Sequence, residues 1–316
     1  MLRHPWFKAL LLTLTLLPLY GCLLRTSHPV QMRMSTATLK DATLDQLVAT
    51  INANAARLSS FKATVDIDTS VLERKKGGTG DVKDYPQIRG YVLLRKPQML
   101  RMILLVPVVR NTMFDMVSNG RTFELSYPSQ NKFIVGSSRK TGKPSDKPLE
   151  NLRPQHIYEA LQLRAVDHSA GEEAVLENGS EIVKDPKTHK DVQQPNYEVL
   201  VIAHDSAGSY LSRKILFSRT DLLPHEQLIY NRDSQLITRA RYENFTDHNG
   251  ILFPEVVEIH RPIEGYSITL SVVSLNVNAP LTDEQFVLSQ PPGSKLVDID
   301  SQAAEAGDDQ SRLRKP

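Results

Sequence analysis

The sequence predicts a mainly β protein with two or three helices. Its strands form a curved antiparallel sheet of about 11–12 strands, a half-open barrel with helices against its concave side. Three observations carry this reading. Two long stretches alternate apolar and polar residues and are punctuated by short polar turns. Two shorter stretches place apolar residues at spacings of three and four. About twelve strands are also too many for one flat open sheet, because strongly twisted sheets of that size curl.

The N-terminal stretch predicts a secretory signal over residues 1–21. Arg3, His4 and Lys8 give a positive start, 9–19 is apolar, and small Gly21 precedes Cys22. That apolar run is shorter than the roughly 20 residues a spanning helix needs. Leu19-Tyr20-Gly21-Cys22 resembles the lipobox of bacterial lipoproteins, which implies cleavage before Cys22 and its lipidation. Tyr20 departs from the small residue usual there. An ordinary signal with an incidental cysteine is the alternative. Cys22 is the only cysteine, so no intramolecular disulfide can form, and an exported protein gains little from a free thiol. Residues 22–38 lack periodicity and read as a lipidated tether.

A helix is predicted over 39–59. Leu44, Leu47, Val48, Ile51, Ala55 and Leu58 make one stripe, and Thr43 can cap it. Strands follow at 61–71, 87–95, 99–106, 112–118, 121–127 and 132–136, with a polar loop over 73–84. Lys96-Pro97, Pro107, Asn119-Gly120 and Pro128 mark the turns. After a polar loop over 137–154 comes a short helix at 155–163. The stretch 164–195 is polar, with one candidate strand at 181–184. A second meander is predicted at 197–203, 210–218, 225–231, 236–244, 253–261 and 266–275. Residues 39–299 read as a single domain, and 300–316 as a disordered tail.

Composition narrows function. The leader carries two basic residues and no acid, so 36 basic and 36 acidic residues remain beyond it. Without a basic excess, a nucleic-acid binder is disfavoured. No G-x-S-x-G elbow, H-E-x-x-H or phosphate-cradling glycine loop is present. His156 and Glu159 share a helix face but do not make a metal site. His204, His225 and His260 would suggest a hydrolase only if one met a serine in a cleft. The expectation is a chain that is not an enzyme and needs no metal or cofactor.

Apolar surface stands out instead. Residues 99–106 are apolar on both faces apart from Arg101, and Pro107-Val108-Val109 puts valines at a turn. Alternation nominates Val65, Ile67, Met102, Leu104, Val106, Phe114, Met116, Phe123, Leu125, Val199 and Val201 as acyl-chain contacts. It does not say which strand face is concave. A strand buried on both faces, with its turn packed under a helix, is the other reading.

Over 44–299 the chain resembles the LolA and LolB carriers and receptors of bacterial lipoprotein sorting, and related lipoproteins. The resemblance rests on Phe61-Lys62-Ala63, on Leu93-Leu94-Arg95-Lys96-Pro97 before Leu100-Arg101, and on Pro107 before Phe114. It continues through Asn119-Gly120, Tyr127-Pro128, Asn151-Leu152-Arg153-Pro154, 281–286, Pro292-Gly293-Ser294-Lys295 and Val297-Asp298. It implies a half-open barrel lidded by helices, whose interior holds acyl chains of lipoproteins or other lipid. It also implies a periplasmic carrier protein as partner and a membrane-inserting turn at Val108 and Val109. The receptor has leucine then glycine there. Leu23, in place of an aspartate after the cysteine, favours the outer membrane. The alternative function is a non-catalytic assembly or scaffold lipoprotein that binds a protein partner.

Overall fold

The computed structural model describes residues 33–74, 80–139, 152–185 and 187–301. The signal, Cys22, most of the tether and the tail from residue 302 lie outside the described residues. Contacts divide the chain into two units. The small one comprises Ile182–Gln194 and the described residues up to Ser35. In it, Asp185 accepts from the amides of Lys187 and Thr188, and Lys184 pairs with Asp191 at 3.1 Å. Arg33–Met34 (β1), expected to be tether, pairs in parallel with Val192 and Gln193.

The large unit holds Thr36–Glu181 and everything from Pro195. Its first helix, α1 (Leu44–Arg57), starts where the residues demand. The Thr43 hydroxyl accepts from the Gln46 amide at 3.3 Å, and the Gln46 side chain accepts from the Thr43 amide at 2.9 Å. This reciprocal pair satisfies two of the free amides of the first turn. Leu47, Ile51 and Ala55, four apart, are the buried stripe.

The first meander is β2 (Ser60–Arg74), β3 (Gly80–Arg95), β4 (Met99–Leu105), β5 (Thr112–Ser118), β6 (Thr122–Tyr127) and β7 (Lys132–Ser137). The polar loop expected over 73–84 is mostly strand, because β2 and β3 pair out to Arg74 and Gly80. Their register slips between Ile67–Ile88 and Thr69–Tyr85, beside Pro86, which has no amide hydrogen to give the ladder. Helix α2 (Pro154–Leu161) follows.

The polar stretch from 164 was expected to hold one short strand. It contains β8 (Glu172–Lys184) and opens β9 (Asp191–Asp205). The strand expected at 181–184 is the end of β8, which backbone pairing along β9 extends back through polar residues to Glu172. The second meander continues as β10 (Gly208–Ser218), β11 (Pro224–Tyr230), β12 (Leu236–His248), β13 (Ile251–Arg261) and β14 (Tyr266–Val277). A last strand, β15 (Lys295–Asp298), was not expected. It lies parallel to β7.

The sheet order is β9-β10-β11-β12-β13-β14-β2-β3-β4-β5-β6-β7-β15. The sheet is curved and unclosed. The two meanders join where β14 pairs with β2, from Val277–Phe61 to Tyr266–Val71. Both helices pack on the same face. Beneath α2, Ile157, Tyr158, Ala160 and Leu161 meet the inward residues of β2–β6 and β12–β14. Beneath α1, Leu47 and Ile51 meet Val199, Val201, Ile215 and Phe217. On the opposite face, Phe286 covers Leu93 and Val117. Arg101 there pairs with Asp115 and donates to the Gln285 carbonyl at 2.8 Å. The outer residues of β4 are therefore partly covered by the chain's own C-terminal segment.

Gly90 marks the tightest approach in the concave layer. A Cβ there would lie 2.5 Å from a Leu104 methyl and 2.7 Å from the Ile103 carbonyl oxygen, and the carbonyl belongs to fixed backbone. Gly90→Ala is expected to lower stability by about 1–3 kcal/mol, measured by denaturant unfolding. An unchanged midpoint would contradict this packing.

Candidate functional site

The concave face collects most of the nominated acyl contacts. Val65, Ile67, Met102, Leu104, Met116 and Phe123 are buried in one cluster, with Phe114 and Leu125 packed at its margin. Val199 and Val201 lie on the same face but belong to the cluster under α1. Val106 is half-buried just beyond the end of β4, and its amide donates to the Asn111 carbonyl at 2.7 Å. It joins neither cluster.

Side chains already fill the space between sheet and helices. Phe61 and Phe253 meet edge to face with ring centres 5.3 Å apart, and Tyr266, Met102 and Met116 occupy the middle. A half-open apolar cleft remains at the margin, of about 40 Å³. That is room for about three water molecules, whereas pockets for larger ligands run to roughly 300–1,000 Å³. Its walls include Ala55 in the last turn of α1 and Leu58 just after it, Leu163 after α2, and Phe245, Leu252 and Pro254 from the β12–β13 hairpin. The sequence reading nominated none of these. The apolar run Ile251-Leu252-Phe253 directly after Asn249-Gly250 was the available signal.

The valine turn lies at the other end of the strands. Leu100–Leu94 and Leu94–Phe61 pairing set the start of β4 beside the start of β2. The β12–β13 turn falls at that same end, while the turn after β4 points toward Val71. Val108 is 97% exposed and Val109 63% exposed. The turn is firmly held: Arg110 donates to the Val106 carbonyl at 3.0 Å and Val109 to the Pro107 carbonyl at 2.9 Å. Val108 has φ 71°, a left-handed conformation that costs a β-branched residue on the order of 1–3 kcal/mol. The turn is thus not packed under a helix, the other reading of this stretch.

Among the described residues histidine Nδ1 atoms meet serine hydroxyls at two places, both across neighbouring strands. The His204 Nδ1 lies 2.6 Å from the Ser209 hydroxyl, and the His260 Nδ1 lies 2.7 Å from that of Ser267. Both are register partners on a sheet surface, not groups converging in a cleft. Glu173 stands 3.5 Å from His204, mostly exposed. His225 pairs with Asp221 at 2.7 Å, and that carboxylate raises the imidazole pKa. His156 is buried and does not bond Glu159, which accepts from Gln155 at 2.8 Å. Among the described residues no three His, Cys, Asp or Glu are placed to hold a metal ion. Among them, too, no helix is long and apolar enough to cross a membrane.

No family model matches the sequence, and no curated protein matches it. Solved structures do. The chain is similar to a LolA superfamily protein from Nitrosomonas europaea, with 16% identity over 78% of this chain and 99% of that one, at TM-score 0.45. It is also similar to an outer membrane lipoprotein-sorting protein domain from Vibrio parahaemolyticus, with 14% identity over 76% and 95%, at TM-score 0.45. A DUF1329 family protein from Desulfovibrio piger matches with 13% identity over 76% and 94%, at TM-score 0.44. None of the three supplies a residue role for this chain.

One inward charge also holds this face together. The Arg213 side chain, from β10, is buried and donates to the carbonyls of Arg164 at 2.7 Å and Ala165 at 3.1 Å, and to Glu172 at 3.2 Å. Burial pushes its pKa down to about 10, so it stays charged at neutral pH. It pins the segment after α2 onto the sheet.

Two stability changes of opposite sign are expected in denaturant unfolding. Arg213→Met leaves buried Glu172 with one partner fewer and should destabilise by about 3 kcal/mol. Val108→Asn, a residue that tolerates left-handed backbone, should stabilise by about 1 kcal/mol. A stability loss in Val108→Asn would show that the valine is not strained.

Proposed function

We propose that this chain is a non-catalytic, lipid-handling lipoprotein of the bacterial outer membrane. It is anchored through Cys22 on the periplasmic face and takes acyl chains of lipoproteins or other lipids between its helices and its sheet. The observation that carries the reading is the Val108–Val109 turn, where two valines face water and one does so in a strained conformation. A folded protein keeps such a feature at a cost, and a bilayer surface is where it is useful. The apolar concave face and the resemblance of the leader to a lipobox point the same way.

Magnitudes decide whether a filled interior can admit a lipid. Exposing the undersides of Ile157, Tyr158 and Leu161 costs about 1.5–3 kcal/mol per side chain. An acyl chain regains about 0.8 kcal/mol per buried methylene, so a chain of about fourteen methylenes offsets that cost. Entry is an exchange of helix for lipid on the same apolar surface, and the cleft at the β12–β13 hairpin is its natural starting point.

Residues 36–300 are expected to take up a fluorescent fatty-acyl probe, and no uptake would overturn the lipid reading. On phosphatidylethanolamine–phosphatidylglycerol vesicles, Val108→Asn should weaken binding about tenfold or more while raising stability, since a buried valine contributes about 1.5–3 kcal/mol. Unchanged vesicle binding would remove the turn from the mechanism. In cells, Cys22→Ser should release the protein from the membrane fraction, and retention would refute the anchor.

The filled interior favours one second reading, a scaffold lipoprotein that binds a protein partner. Absent probe uptake, together with a stably co-purifying envelope protein, would select it.

A further inference from the structure

We propose that His156 is a proton-operated latch: neutral, it fastens the first turn of α2 to the sheet, and protonated, it releases that turn from the concave face. His156 sits in the first turn of α2 and is buried. Its Nε2 lies 3.2 Å from the Arg261 guanidinium, which can only donate, so the ring nitrogen must accept. Its Nδ1 lies 3.5 Å from the Tyr266 hydroxyl. A second proton would set an N–H of the ring against a guanidinium that has no acceptor to offer.

The surroundings leave no room for compensation. Arg261, from β13, cannot turn away: Glu264 holds it with contacts of 3.2 and 2.5 Å, and Thr238 of β12 accepts from it at 2.5 Å. Arg153, directly before the helix, is a second cation whose charge acts on the ring; it lies 4.0 Å from the Asp300 carboxylate. The Glu264 carboxylate accepts twice from Arg261 and also acts on Arg153. Burial first, then Arg261 and Arg153, hold the His156 pKa well below that of free imidazole.

The opposite end of α2 is fastened by groups that do not titrate near neutrality. The Tyr158 hydroxyl donates to the Pro97 carbonyl at 2.7 Å, and the Tyr242 hydroxyl to the Ala160 carbonyl at 2.8 Å. The Gln227 amide donates to the Glu159 carbonyl at 3.3 Å. Acid therefore acts on the first turn alone, and the helix pivots about its last. Proton uptake favours the released state in the window below the free-imidazole pKa of about 6.5. That the uncovered surface then accepts an acyl chain rests on the function proposed above; the latch itself does not.

Hydrogen exchange of the full chain, corrected for intrinsic rates, tests the latch without any lipid. Opening of the first turn of α2, read at the His156 amide that bonds the Arg153 carbonyl, is expected to rise by up to about 50-fold from pH 6.5 to pH 4.5, the ratio one freed imidazole allows. Amides of β13 should not follow. In His156→Gln, whose side chain can still accept from Arg261, the rise should vanish. Pivoting that is independent of pH, or a pH response that survives in His156→Gln, overturns the proposal. If that variant does not fold, exchange of the His156 ring C2 hydrogen in the unmutated protein decides. A titration midpoint below 6.5 supports the latch, and one at or above 6.5 overturns it. Probe uptake that fails while the exchange response persists would refute the lipid reading and leave the latch standing.

Discussion

One face of a long open sheet must be kept dry by two short helices, and the rest of the structure follows from that constraint. With a single cysteine in the chain, no intramolecular cross-link shares the task. Burial has to do it. The concave residues divide between α2, which covers the middle strands, and α1, which covers β9 and β10. The polar groups beneath the helices are those a helix end or a connecting segment needs, such as Arg213 under the segment that leaves α2. Each places a donor where a chain passing over an apolar sheet would otherwise leave carbonyls unpaired.

The same surface serves as core and, in the proposed function, as binding site. These roles compete. A cavity kept permanently open would remove much of what stabilises the sheet, whereas a filled one must be reopened for each lipid. In the proposed function a helix of eight residues meets both demands, since the side chains it buries match an acyl chain in energy. A longer lid would hold too firmly. The valine turn and the cleft sit at opposite ends of the strands, so the proposed bilayer contact and the proposed admission at the helix margin fall at separate places.

Much of this was legible in the residues. The stripe Leu47, Ile51, Ala55 and the cap at Thr43 gave α1, and the Asn119-Gly120 turn fell between β5 and β6. The valine turn was legible because valine after proline breaks the rule that turns are polar. Strand β8 was legible only at its end, 181–184, because upstream the Glu, Asn, Gly and Ser residues held by backbone pairing interrupt the apolar period. Strand β15 escaped for a related reason: four residues are too few for alternation to register. Alternation also left open whether Met102 and Leu104 meet lipid or protein. It reports which residues share a face and nothing about what faces them. The cleft was missed because its walls come from four separated parts of the chain.

The pairing of β2 with β14 has a consequence for how the molecule comes to exist. Val71 finds Tyr266 across more than half the length of the chain, and this seam lies at the centre of the sheet. Until the second meander is complete, β2 has an unpaired edge, and β14 arrives last with the matching one. Contacts so distant in sequence slow folding, and bare strand edges invite association with other chains. Each nascent molecule therefore passes through a period in which its two halves are mutually complementary and equally complementary to a neighbour's. Crowding during synthesis would favour exchange of halves between molecules, and shielding of the first meander would favour the monomer.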